Sequence, residues 1–388
     1  MKLLYNIPAT FNSAGMERVL ANKVNWLVEH GYEVSVVTTD QKDLPAYFPM
    51  NDSIKFFDLG INYDENNGKS FLNKLVHFPI KQIRHKRRLK CLIDREKPDI
   101  VISMFGNDAM IIAGMQIDAS KVIELHFPKM KYMQYGRKGL WYLADLFRTK
   151  LDARIVRRYD RFVTLTEEDM ADWGPDAGNI SVIPNALTVF PDSASHLDRK
   201  TVISIGRLSH QKGFDRLISA WSRISPKMPG WKLEIIGGGD QGYTSWLNQL
   251  IDEAGVRDSV TIRPPMKNMS EVYGHASILA LTSRYEGLPM VLLESQAYGI
   301  PAVSFACKCG PRDVITDGEN GFLVEDGSIE AFAEKLSILM SDDQLRASMG
   351  AKARNMSSRF KEDRIMAIWD NLFKELVAGN EDDSHIGS

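Results

Sequence analysis

Ile278-Leu279-Ala280-Leu281-Thr282-Ser283-Arg284-Tyr285-Glu286-Gly287-Leu288-Pro289-Met290-Val291-Leu292-Leu293-Glu294 is the most informative run of the chain. Its first four residues form an apolar run of strand length, Gly287 marks a turn, and from Pro289 the pattern turns helical. Proline suits the first turn of a helix, where its missing N–H has no partner to lose. A buried strand that passes through a tight turn into a helix is one half of a β-α-β unit. Similar apolar, β-branched runs recur at 201–206, 233–236, 260–262, 301–305 and 322–324, and an earlier series lies at 2–7, 33–38, 100–105, 122–126 and 162–166. Between them, Phe214, Leu217, Ile218, Trp221 and Ile224, like Met16, Val19, Leu20, Val24 and Leu27, make the stripe of an amphipathic helix. The sequence therefore predicts an α/β chain of two Rossmann-like doubly wound domains facing across a cleft, with ligands at the carboxyl ends of the strands.

The length fits two or three domains, because 388 residues is several times the roughly 150 of one domain. Residues 185–200, rich in Pro, Ser and Asp, read as a linker. The expected division is 1–190 for the first Rossmann-like domain and 191–360 for the second. A closing helix follows at 361–378, returning to the first domain, and then a mobile polar tail at 379–388. Composition excludes disordered, collagen-like and polytopic membrane classes: 44% of residues are hydrophobic and 25% charged. Cys91, Cys307 and Cys309 are an odd number that cannot close a disulfide framework, which implies a reducing compartment. The start, Leu3-Leu4-Tyr5-Asn6-Ile7-Pro8, is too short an apolar run for a signal peptide. No run reaches the about 18 apolar residues of a membrane span. The expected location is cytoplasmic, with adhesion to the inner face of the cell membrane left open.

Candidate site residues lie where strands end. Asn12-Ser13-Ala14-Gly15-Met16-Glu17 runs into a helix whose first amides and dipole suit an anion, although any tight turn also needs small residues. Gly206-Arg207-Leu208 and Gln211-Lys212-Gly213 follow another strand and bring two cations to its mouth. Arg207 offers a planar fork and Lys212 a mobile charge, a pair suited to a diphosphate. In the quoted segment the amides of Met290 and Val291 point out of a helix start beside Leu288 and Pro289. Glu286 and Glu294 can accept from vicinal sugar hydroxyls there. His126 ends a strand of the first series and points its ring into the cleft, as a ligand contact or as a structural residue. Gly237-Gly238-Gly239-Asp240-Gln241-Gly242 formally matches the dinucleotide fingerprint, but after the second strand of its domain rather than the first. Thr166 and Asp169 read as a capping-box-like helix start rather than part of a metal site, and no essential metal is expected.

Charge is uneven. Against a net charge of −2, residues 74–161 hold 20 Lys and Arg against 9 Asp and Glu. Arg84-His85-Lys86-Arg87-Arg88, Arg137-Lys138 and Arg157-Arg158 interleave with Tyr132, Tyr135, Trp141, Tyr142 and Phe147. Basic residues beside interfacial aromatics favour an anionic membrane surface or a phosphorylated acceptor. No nucleic-acid motif accompanies them, so nucleic acid is not an expected partner.

In order along the chain, Gly15-Met16-Glu17, His126, Val182-Ile183-Pro184-Asn185, Gly206-Arg207-Leu208 with Gln211-Lys212-Gly213, Gly237-Gly238-Gly239, Glu286 to Glu294 and Asp317-Gly318-Glu319-Asn320-Gly321 resemble the retaining GT-B glycosyltransferases of family 4. The resemblance spans essentially the whole chain. It implies that Arg207 and Lys212 hold the donor diphosphate, Glu294 the ribose, and Glu286 and His126 the transferred sugar. The amides near Gly15 would approach the distal phosphate, while Gly206 and Gly238 would line the donor site. Departures occur at Ser13-Ala14, where the family often has glycine, and at Arg263-Pro264-Pro265-Met266 near the base. Cys309-Gly310-Pro311-Arg312-Asp313-Val314 resembles members that build surface glycans, such as lipopolysaccharide or capsule, from UDP-hexoses. The implied reaction is retaining, metal-independent transfer of a hexose or N-acetylhexosamine from a nucleotide sugar, without a separate cofactor, to a glycan or lipid-linked acceptor. Alternatives are an epimerase or phosphorylase on this fold, a NAD-dependent oxidoreductase using Gly237 to Gly239, and a non-enzymatic surface-binding module.

Overall fold

The structure is a computed structural model that describes residues 1–66, 71–129, 139–174, 178–266 and 268–386. The chain divides into two units, Met1–Pro184 with Asp363–Ser388, and Asn185–Glu362. The break falls ahead of the boundary read at 190, because the segment taken for a linker is bound into the second unit. The Leu187 amide donates to the Phe360 carbonyl at 2.7 Å and the Ser195 amide to Tyr298 at 2.7 Å. Arg354 lies over the Phe190 ring.

The first unit contains β1 (Lys2–Asn6), α1 (Gly15–Glu29), β2 (Glu33–Thr38), β3 (Lys55–Asp58), α2 (Phe71–Glu96), β4 (Ile100–Ser103), α3 (Ala109–Ala113), β5 (Ser120–Glu124), α4 (Leu140–Val156), β6 (Arg161–Thr164), α5 (Glu167–Trp173) and β7 (Ile180–Val182). Its seven strands run in the order β3-β2-β1-β4-β5-β6-β7 and every pairing is parallel. Parallel strands must be covered on both faces, and accordingly Leu4, Val101, Ile123 and Phe162 are all buried in one core. β3 and β7 were missing from the sequence reading. β3 is an edge strand whose Phe56 remains exposed, and β7 has only three half-buried residues, so neither carries the apolar run of an interior strand.

The second unit contains β8 (Thr201–Ile205), α6 (Phe214–Ile224), β9 (Lys232–Ile236), α7 (Gln241–Glu253), β10 (Val260–Arg263), α8 (Met269–Gly274), β11 (Ile278–Leu281), α9 (Met290–Ala297), β12 (Ala302–Phe305), α10 (Pro311–Val314), β13 (Gly321–Val324), α11 (Ile329–Ser341) and α12 (Asp343–Ser357). Its six strands, also all parallel, run in the order β10-β9-β8-β11-β12-β13. The stripe on α6 is buried as its spacing predicts, with Trp221 wholly inside and its indole N–H on Ser259 Oγ at 2.9 Å. The order reverses between β1 and β4 in the first sheet and between β8 and β11 in the second. Loops diverge at such a point and leave a crevice at the strand ends.

The last helix, α13 (Glu362–Ile386), belongs to the first unit from Asp363 onward. The Tyr32 hydroxyl donates to Asp370, and Arg161 pairs with Glu375 at 2.7 Å. Trp369 and Phe373 are buried against this unit. The helix continues through 379 to Ile386, where the sequence predicted a patternless tail. No described helix is long and apolar enough to cross a membrane.

Candidate active site

At the switch point of the second sheet, the loops after β8, β9 and β11 converge. Gly206 lies under the Lys212 stem: a Cβ there would be 3.1 Å from Lys212 Cε. A Cβ on Gly237 would lie 1.9 Å from the Gly206 carbonyl oxygen, and one on Gly239 would lie 2.3 Å from that of Leu208. The Leu208 amide donates to the Gly238 carbonyl at 2.8 Å, so the β8 and β9 chains stay paired past their strands. This close backbone packing accounts for glycines at 237 and 239 without any nucleotide fingerprint. The helix that follows, α7, is capped by Asp240, whose carboxylate accepts from the Tyr243 amide at 3.0 Å. A dinucleotide phosphate would meet that carboxylate, which counts against the oxidoreductase reading. Gly238 instead faces Pro265.

Lys212 and Glu286 meet directly. Nζ lies 2.7 Å from Oε1, and the same oxygen accepts from Ser283 Oγ at 2.5 Å. Oε2 of Glu286 takes no hydrogen bond from a described residue. The Glu286 amide is held by the Lys308 carbonyl at 3.1 Å, which fastens the loop after β11 to that after β12. Arg284 anchors the other side, donating to both oxygens of Asp215 at 2.9 and 2.6 Å and to the His210 carbonyl at 2.6 Å. Burial would raise the Asp215 carboxyl, but the Arg284 guanidinium outweighs it and holds the group below its ordinary value. Arg207, exposed on the β8 loop, makes no ion pair with a described residue.

Pro289 is the N-cap of α9 rather than its first helical residue, and it supplies no side-chain cap. The helix therefore starts at Met290, and the Leu292 amide already bonds the Pro289 carbonyl at 3.0 Å. The Met290 and Val291 amides precede it at the positive end of the helix. Leu288 is buried beneath this turn, and Gly310 packs against it: a Cβ there would lie 2.5 Å from Pro289 Cδ. Glu294, one turn inside α9, accepts from the Tyr273 hydroxyl at 2.6 Å, and Tyr273 stacks on Tyr298 at 5.0 Å. Ser283 and Tyr273, which orient the two glutamates, escaped the sequence reading. Ser283 was visible three residues before Glu286, whereas Tyr273 lies on another helix.

In the first unit, Ala14 is the N-cap of α1 without a side-chain cap, Gly15 is exposed and Met16 half-buried. Glu17, in this first turn, is pushed up by burial, against hydrogen bonds from its own amide and Asn12 that lower it. His126 follows β5 by two residues, and its Nε2 lies 3.3 Å from Glu124 Oε2. Thr166 caps α5, accepting from the Asp169 amide at 3.1 Å, as the capping-box pattern predicts. Asp169 itself accepts from the Lys129 amide and the Trp173 indole.

The basic region splits. His85 is buried and Arg88 donates to the Leu59 and Gly60 carbonyls, so both serve the fold. Arg84, Lys86 and Arg87 remain exposed on α2 with Phe78, Ile80 and Ile83, the last 71% exposed. Tyr142, Leu143 and Phe147 are exposed on α4 beside Arg148. Tyr132, Tyr135, Arg137 and Lys138 lie outside the described residues, as does the Trp141 side chain.

Residues 13–189 match the family model described as Glycosyltransferase Family 4, and residues 188–356 match that of glycosyl transferases group 1. A Haemophilus influenzae protein described as an uncharacterized glycosyltransferase is 29% identical over 364 residues, 93% of this chain and 96% of that one. The amylovoran biosynthesis glycosyltransferase AmsD of Erwinia amylovora is 28% identical over 384 residues, 96% and 99% of the two chains. Among solved structures, Staphylococcus aureus TarM in a complex with UDP superposes with a TM-score of 0.79 at 17% identity, over 96% of this chain and 99% of that one. Anabaena HepE with UDP and glucose superposes at 0.73 and 18%, over 96% and 99%. Two parallel-sheet units, matched between residues 13 and 356 by these two family models in succession, identify the chain as a family 4 glycosyltransferase of the GT-B fold.

Proposed function

We propose that this glycosyltransferase moves a hexose or N-acetylhexosamine from a UDP-linked donor to a glycan or lipid-linked acceptor in surface-polysaccharide synthesis, with retention of configuration. The observation that carries the reading is the Lys212–Glu286 contact, set beside the uncapped start of α9 at the switch point of the second sheet. A cation for phosphate and a carboxylate for hydroxyls are there held in register by Ser283 and the Lys308 carbonyl. The names of two relatives support the part of this reading that concerns glycan synthesis. AmsD is described by amylovoran biosynthesis, and a Campylobacter jejuni relative, 24% identical over 97% of this chain and 99% of its own, by transfer of N-acetylgalactosamine to an undecaprenol-linked glycan.

In this mechanism Arg207 and one free donor of the Lys212 ammonium take up the charge of the diphosphate, and the Met290 and Val291 amides add the dipole of α9. Glu294, oriented by Tyr273, accepts from the ribose, and Oε2 of Glu286 accepts from the sugar. Within the first unit, His126 is the candidate for a sugar contact and the amides at Gly15 and Met16 are the candidates for a phosphate contact. The bond from the anomeric carbon to the phosphate oxygen breaks with its electron pair leaving on the UDP. The acceptor hydroxyl forms the new bond on the same face, and its proton passes to the departing phosphate oxygen. Two protein cations carry the diphosphate's charge in this scheme, so no divalent ion is required.

Release of UDP or GDP by the purified chain from UDP-glucose, UDP-galactose, their N-acetylated forms and GDP-mannose, with and without chelator, tests the reading. Release from one UDP-sugar, unaffected by chelator, is expected; release from GDP-mannose alone, or none without metal, overturns it. The exposed apolar and basic residues of α2 and α4 support an anionic membrane surface as a further partner. Sedimentation with phosphatidylglycerol vesicles, lost on Ile83→Asp, is the matching measurement.

A further inference from the structure

The first unit holds a buried charged network that ends on His126. Glu124 closes β5 two positions before His126, and alternation along an extended chain sends both side chains to one face. Lys23, on the inner face of α1, reaches the same carboxylate: Nζ to Oε2 is 2.6 Å, with the two side chains 7% and 2% exposed. That oxygen also lies 3.3 Å from His126 Nε2. Trp369 of α13 covers the ammonium, its ring centroid 3.7 Å from Nζ.

An ion pair at this depth is a poor source of stability, because desolvating two charges offsets most of their attraction. Its chemical consequence is sharper. An ammonium only donates and an ionised carboxylate only accepts, so Lys23 keeps Glu124 an acceptor. Burial pushes the Glu124 carboxyl up, but Lys23 first and His126 second bring it below its ordinary value. A carboxylate facing Nε2 requires the hydrogen on that nitrogen, and the neutral ring then keeps its lone pair on Nδ1. Among the described residues Nδ1 has no hydrogen-bond partner.

We infer that Lys23 and Glu124 are positioning residues that fix the Nε2–H tautomer of His126, so that Nδ1 meets a hydroxyl of the transferred sugar as an acceptor. The inference rests on the reading of His126 as a sugar contact. It joins α1, β5 and α13, which no motif spacing connects.

Nitrogen-15 labelling of the histidines of the full chain tests it, with His126→Gln assigning the ring signals at a pH where imidazole is neutral. The wild-type ring is expected to carry its hydrogen on Nε2 alone, and Glu124→Gln to give a mixture of tautomers. The double variant Lys23→Met with Glu124→Gln leaves no unpaired charge, so it folds even where the single variant does not. It is expected to show the same mixture, with kcat for UDP release from the best donor of the screen lowered about 10-fold to 100-fold and KM little changed. A wild-type hydrogen on Nδ1, or a double variant with wild-type tautomer and rate, overturns the inference. His126→Ala with full UDP release would instead overturn the sugar-contact reading on which the inference rests, and is told apart because the tautomer is read without donor.

Discussion

Lys212 and Glu286, 74 residues apart, share a hydrogen bond of 2.7 Å between the loops that follow two neighbouring strands. Each restrains the other, and each keeps capacity for a ligand: two further N–H donors on the ammonium and the Oε2 oxygen on the carboxylate. Lys212→Ala and Glu286→Gln should each lower kcat about 100-fold to 1000-fold, the usual cost of one group that meets developing charge. The double variant should lose less than the product of the two, because the groups touch. Donor turnover together with circular dichroism checks this; full turnover in either folded single variant would remove both residues from the site.

Two glycines at this edge should fail in different ways. For alanine at Gly206 the nearest obstacle is the Lys212 stem, which can swing aside, so turnover should fall while the melting temperature barely moves. Alanine at Gly237 meets a backbone oxygen at 1.9 Å, and the strand ends must separate. Overpacking of this kind costs about 1–3 kcal/mol. Thermal unfolding of both variants, beside UDP release, separates the roles.

The strand-turn-helix around Glu286 and the stripe on α6 were legible because each is set by local patterns: apolar runs, a turn glycine and 3.6-residue spacing. β3 was not, since an edge strand has one partner and little need for apolar side chains. Nor was the end of α13, whose last turns lack an apolar stripe. Glu124 stood in plain view two residues before His126, yet its value depends on Lys23, about 100 residues earlier in the chain. Pairings made by topology leave no spacing to read. The glycines at 237 and 239 show the converse, a motif that matches in letters and is explained by backbone crowding.

Two buried groups in the first unit should give opposing pH effects. Burial lifts the Asp108 carboxyl to about 6, and burial lowers the His85 imidazole to about 4. Asp108 binds its proton more tightly folded than unfolded, so its stabilisation is full below about pH 4 and is lost as pH rises through 6. His85 binds its proton less tightly when folded, so its contribution is full above about pH 6.5 and is lost as pH falls toward 4. Each spans roughly 3 kcal/mol, and between pH 4 and 6 they offset one another. Asp108→Asn should therefore gain stability relative to wild type as pH rises from 4 to 6, and His85→Gln should lose it. Denaturant unfolding at several pH values measures both differences; parallel curves for all three proteins would show that neither group titrates as described.

α13 should behave as a working part of the first unit rather than an appendage. Trp369 is 2% exposed and lies over Lys23, so truncating it opens a cavity and uncovers a buried ammonium at once. Loss of a buried tryptophan side chain costs about 3–5 kcal/mol. Trp369→Ala should lower stability by that amount, whereas Trp369→Phe, which keeps an aromatic face over the cation, should cost less. Hydrogen exchange locates the effect: the amides of α1 and β5 around Lys23 and Glu124 should lose protection in the alanine variant, while those of β8 to β13 keep theirs. Equal loss across both units would mean that Trp369 supports the chain as a whole and has no particular hold on the Lys23–Glu124 pair.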